Sequence, residues 1–162
     1  MNKIYLEDPP RLKRLMQSWF LHYFRKTADT ITGYETYTLF DSLASFKQNN
    51  ILLNLGLLPG ELPILILTVD ESTSIINTTS RFIRLCVKEV TTVMYHDFLS
   101  HIGYRSMYTV APQSSSPVNI KKDGLFDDFG IKLKTGEIVW WRIPTGNPGF
   151  GFWNVTKRCG VD

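Results

Sequence analysis

The stretch Ile64-Leu65-Ile66-Leu67-Thr68-Val69-Asp70-Glu71-Ser72-Thr73-Ser74-Ile75-Ile76-Asn77-Thr78-Thr79-Ser80-Arg81-Phe82-Ile83-Arg84-Leu85-Cys86-Val87 decides the fold class. Its aliphatic and β-branched runs are short, and the polar tetrad at 70–73 separates the first two as a turn separates the arms of a hairpin. Parallel pairing needs a crossover of a dozen residues or more, and no helical pattern of that length intervenes, so these runs pair antiparallel. The same grammar continues downstream, giving seven candidate strands at 64–69, 74–78, 82–87, 90–94, 107–110, 130–133 and 138–143. Thr135-Gly136 supplies the turn of the last hairpin, and Gln113-Ser114-Ser115-Ser116-Pro117 reads as a long exposed loop. A Rossmann-like or barrel α/β enzyme is excluded by the same lack of intervening helices.

Upstream the pattern is helical. Asp8 is a good N-cap and Pro9 suits the first helical position, after which Leu12, Leu15, Met16, Trp19, Phe20, Tyr23 and Phe24 recur at steps of three and four. Arg11, Arg14, Ser18, His22 and Arg25 fall on the opposite face. So wide an apolar arc docks on the chain's own core, the alternative being a helix lying on an acidic lipid surface. Asp41-Ser42 is read as the cap of a second helix ending near Asn49-Asn50, and 51–60 as a buried connector that breaks at Gly56. The expected architecture is α+β: an N-terminal helical segment, residues 1–57, packed on a mainly antiparallel seven-stranded sheet or partial barrel, residues 58–162.

The chain has 162 residues, 43% of them hydrophobic, enough to bury a conventional core without metals or crosslinks. Residues 1–26 carry a net charge of +4 and the rest −1, so the basic character belongs to the N-terminal helix alone. That weighs against a nucleic-acid reading through Arg11, Arg14, Arg25 and Lys26. No apolar run reaches the roughly 20 residues that span a bilayer, and the start lacks the apolar core of a secretion signal. A cytoplasmic chain with reduced Cys86 and Cys159 is expected, in which the sequons at Asn77 and Asn154 play no part.

Leu58-Pro59-Gly60-Glu61, followed by a strand, a turn and the Thr78-Thr79-Ser80-Arg81-Phe82 segment, resembles the opening of bacterial PH-like domains. Val90-Thr91-Thr92-Val93-Met94-Tyr95-His96-Asp97-Phe98 is similar to the family's next segment, and 131–140 to its final hairpin. The resemblance covers about 58–158. It implies a PH-like sheet, a binding or scaffolding role, and no catalytic residues. A PH-like fold ends in a helix of several turns; only 152–158 is available here, so that cap is short or the N-terminal helix replaces it.

The remaining candidates for chemistry are few. His96, Asp97 and His101 form the densest titratable cluster and define the alternative of a small hydrolase or transferase, but no second pair of metal ligands or nucleophile stands near them. Asp97 is read instead as the cap of a short turn through Phe98 to Ile102. Gly146-Asn147-Pro148-Gly149-Phe150-Gly151 fails both phosphate-loop patterns and reads as a wide turn, and Asp123, Asp127 and Asp128 read as a solvated acidic loop. Adjacent strand residues face opposite sides, so Trp140 and Trp141 cannot share a core; Trp141, with Val139 and Ile143, is the inward candidate. The expected function is non-enzymatic binding, chiefly of a protein partner, with no cofactor and no metal. Its candidate contacts are Trp140, Arg142, Phe150, Trp153, Arg11, Arg14 and Arg25.

Overall fold

The computed structural model describes residues 5, 7–108 and 118–160. It is an α+β fold of three helices on two antiparallel sheets, one of five strands and one of three, which do not close into a barrel. The anticipated loop at 113–117 and residues Thr109 and Val110 lie outside the described residues.

Helix α1, Pro9–Phe24, starts where expected, the Asp8 carboxylate accepting the Arg11 N–H. It ends at Arg25, whose backbone is left-handed at φ 53° and whose N–H bonds back to His22 O. Leu12, Met16 and Phe20 are completely buried, so the apolar arc docks on the chain's own core. Residues 1–57 are not purely helical: strand β1, Tyr37–Leu39, pairs antiparallel with β2. Three residues between Thr36 and Phe40 are too short a run for alternation to announce a strand.

Helix α2 is Ser45–Leu55 and is preceded by a 3-10 turn over Phe40–Ser42. Asp41 therefore does not cap it; its carboxylate accepts hydrogen bonds from Lys13 Nζ at 2.9 Å and Gln17 Nε2 at 3.3 Å of α1. The helix runs through Asn49-Asn50 and stops at Gly56, which takes the left-handed conformation that glycine tolerates. The stretch read as a buried connector is thus mostly the last turn of a surface helix, with Leu55 buried and Leu53 82% exposed.

Strands β2 (Pro63–Thr68), β3 (Thr73–Thr78), β4 (Arg81–Cys86) and β5 (Glu89–Met94) form a meander beside β1. Ile64, Leu65, Ile66 and Leu67 are all buried because both faces are covered. Leu65, Leu67, Ile75 and Phe82 join the main core with α1, while Ile66, Ile76 and Ile83 pack against Phe40, Leu43 and Leu55 on the α2 side.

The second sheet is β6 (Phe98–Tyr104), β7 (Phe126–Leu133) and β8 (Ile138–Pro144). Strand β6 replaces the short turn expected after Asp97. Register shifts between Phe98 and Ser100 and between His101 and Gly103 break the period-two pattern by which a strand is read. Met107 and Tyr108, expected to open the strand at 107–110, lie instead in a 3-10 turn over Arg105–Tyr108. Strand β7 begins earlier than expected because its two acids have partners: Asp127 accepts the Ser106 N–H at 3.0 Å and Asp128 pairs with Arg105 at 3.4 Å. These aspartates are not a solvated loop. Among the described residues the count is eight strands rather than seven.

The largest correction is α3, Gly146–Thr156, where a glycine-rich wide turn was expected. Its glycines are contact points. A Cβ on Gly149 would lie 1.7 Å from the Tyr104 hydroxyl oxygen, and one on Gly151 would lie 2.3 Å from the Phe24 ring. Asp123 accepts the Asn147 N–H at 2.8 Å and so caps the helix from another loop.

Candidate binding surface

The residues of the Gly60-Glu61 and Thr78 to Arg81 motifs meet. The Glu61 side chain is fully buried and takes two bonds from Arg81, Nε to Oε2 at 3.0 Å and Nη2 to Oε1 at 3.1 Å. Thr78 Oγ1 and the Leu58 N–H also donate to it, and Arg81 reaches on to Gly56 O at 2.9 Å. Burial pushes the Glu61 carboxyl upward, but the Arg81, Thr78 and Leu58 bonds outweigh this and hold it below its ordinary value. All its partners are internal, so the node ties the end of α2 to the sheet and offers nothing to a ligand.

The titratable cluster does not assemble into one site. His96 and Asp97 are exposed and pair with each other at 3.0 Å. His101 is buried among the rings of Phe82, Phe98, Phe129 and Phe152 at centroid separations of 4.8–5.6 Å. Its Nε2 lies 2.8 Å from Thr156 Oγ1, whose own hydrogen goes to Phe152 O, so Nε2 carries the proton and Nδ1 the lone pair. Among the described residues Nδ1 has no hydrogen-bond partner, and burial brings the group down to a pKa of about 3. Among the described residues no three His, Cys, Asp or Glu side chains are grouped as a metal site would require.

The candidate contacts fall in three places. Trp141 is buried and Trp140 half-buried on the other face of β8, as alternation requires. Trp140 lies against Gly130 of β7, under the Arg105 guanidinium at 4.2 Å, while Arg142 lies over Phe126 at 5.1 Å. Phe150 and Trp153 are on α3, stacked on each other 9° from parallel and packed edge-on against Tyr104. Arg11, Arg14 and Arg25 lie on the solvent face of α1, Arg11 pairing with Glu7 at 3.4 Å.

A groove that the sequence did not announce joins α1 to the end of α3. It encloses about 380 Å³ between Ser18, Trp19, His22 and Tyr23 on one wall and Asn154, Val155, Lys157 and Arg158 on the other. Gly151 brings the walls together by letting α3 approach Phe24. Arg158 stands 5.3 Å over the half-buried Trp19 ring, and Tyr23 is 40% exposed. Among the described residues the lining holds two permanent cations, a histidine and two aromatic rings, with no carboxylate. Arg14 and Arg25 extend the same sign along the outer face of α1. Lys157 and Arg158 were missed because their nearness to α1 depends on α3, a helix the glycines conceal.

Among the described residues no helix is long and apolar enough to cross a membrane. Comparison of the chain with protein-family models, curated proteins and solved structures yields no match.

Proposed function

We propose that the chain is a non-enzymatic, PH-like binding module that recognises an acidic segment of a protein partner in the groove between α1 and α3. The observation that carries this reading is a concave site with cations and partly exposed aromatic faces and, among the described residues, no carboxylate in its wall. Positive potential there attracts acidic side chains, and Trp19 and Tyr23 supply area for apolar residues between them. Seven meander strands, β2 to β8, followed by a helix of three turns support the PH-like part of the reading. The lipid alternative draws less support, since the apolar face an interfacial helix would insert is occupied by Leu12, Met16 and Phe20 in the core. A hydrolase or transferase at His96, Asp97 and His101 would need groups that here face solvent and core separately.

The test is fluorescence anisotropy with a labelled twelve-residue peptide of alternating glutamate and leucine. Binding should weaken as salt rises and fall at least tenfold in Lys157→Glu/Arg158→Glu with the fold intact by circular dichroism. Equal binding by that variant overturns the groove assignment. Cosedimentation with acidic vesicles and no peptide binding favours the lipid reading instead.

A further inference from the structure

Four strands end the two sheets, and three carry features that discourage addition of another strand. Strand β1 has three residues, β6 is interrupted twice in register, and β8 carries Arg142 and ends at Pro144. Strand β5 has none of these. Its six residues run in unbroken register with β4, from Arg81 opposite Met94 to Cys86 opposite Glu89. It holds no proline, lysine or arginine, and its one charge, Glu89, sits at its end. Among the described residues, the backbone bond its residues make beyond β4 is the turn bond from the Asp97 N–H to Met94 O. Val90 is 47% exposed, and nearby Val87 is 81% exposed.

An open backbone edge selects an extended strand as its occupant, and the sequence of β5 is complementary to itself. In antiparallel pairing, opposed residues point to the same face, so a two-fold axis between identical strands falls on a residue. An axis at Thr92 sets Val90 opposite the second copy's Met94 and Thr91 opposite its Val93, with no like charges facing. We propose that β5 pairs with β5 of a second copy of this chain, joining two five-stranded sheets into one of ten strands. This pairing uses neither wall of the α1–α3 groove and leaves both grooves open.

Sedimentation equilibrium of the full chain should give twice its 18.7 kDa mass at micromolar to tens of micromolar concentration. Thr92 is exposed, so Thr92→Lys and Thr92→Glu keep the fold, checked by circular dichroism, while each sets like charges together at the axis. Each variant alone should sediment at half the native mass. An equimolar mixture should recover the dimer, because lysine then meets glutamate. A native chain that stays monomeric throughout that range overturns the proposal, as does a dimer that either variant leaves intact. Failure of the mixture to associate overturns the axis at Thr92 and with it the proposed pairing.

Discussion

The Tyr37 hydroxyl is buried with no hydrogen-bond partner among the described residues, at a position where the ring itself is fully used. The ring packs edge-on against Phe20 and Phe152 at 5.2 and 6.1 Å. Removing an unpaired buried hydroxyl while keeping the ring relieves a desolvation cost, so Tyr37→Phe should leave stability unchanged or raise it by about 1 kcal/mol. A urea midpoint lowered by that much would show that the hydroxyl is satisfied. Tyr95 makes the contrast, since its hydroxyl donates to Thr78 O at 2.6 Å and accepts from Asn77 Nδ2 at 3.3 Å. Tyr95→Phe should therefore destabilise. Neither difference is legible in the sequence, where Tyr37 stands between two threonines and Tyr95 between a methionine and a histidine. What can be read at this scale is orientation: period two puts Trp140 and Trp141 on opposite faces, and Val139 and Ile143 on one face against Arg142 on the other make Trp141 the inward ring, as β8 is regular where they stand.

Among the elements, those read correctly are the ones whose local pattern and tertiary role agree. Helix α1 has a cap, a first-turn proline and an apolar stripe that reaches the core, and β2 to β5 have clean runs between polar turns. Helix α3 is the opposite case: glycine disfavours a helix locally, but Gly149 and Gly151 are what allow Tyr104 and Phe24 to approach its backbone. Gly151→Ala should accordingly cost about 1–3 kcal/mol despite alanine's higher helix propensity. Phe24→Leu in the same chain should recover part of that loss. The double-mutant cycle checks this by chemical denaturation, and additive effects would remove the proposed contact. Strand β6 was hidden by its bulges and α2 misplaced by an aspartate that serves α1, so the candidate groove, which depends on α3, could not be assembled from sequence alone.

For the whole molecule, buried titratable groups set the acid limit. His101 stays neutral when folded, with a pKa of about 3, and binds a proton when unfolded near 6.5. The unfolded chain thus holds the extra proton below pH 6.5, and stability falls as pH drops, by roughly 2–3 kcal/mol between pH 6.5 and 4.5. Glu61, whose folded value is depressed, contributes stability above its unfolded value of about 4.3 that is lost as pH falls further. The two windows overlap below about pH 4.3, and above it the loss belongs to His101. His101→Met should flatten the upper one in urea titrations and leave the lower one, and an unchanged slope above pH 4.5 would remove His101 from the account. The packing of α1 on α3 also has a consequence for biosynthesis. The first helix made docks against the last, so closure of the main core must await residues 146–156. At about 5–20 residues per second, the ribosome holds that amphipathic helix without its final neighbour for roughly ten seconds. During that interval its stripe of leucine, methionine, tryptophan and phenylalanine is a chaperone target, and the main core closes only once residues 146–156 have emerged.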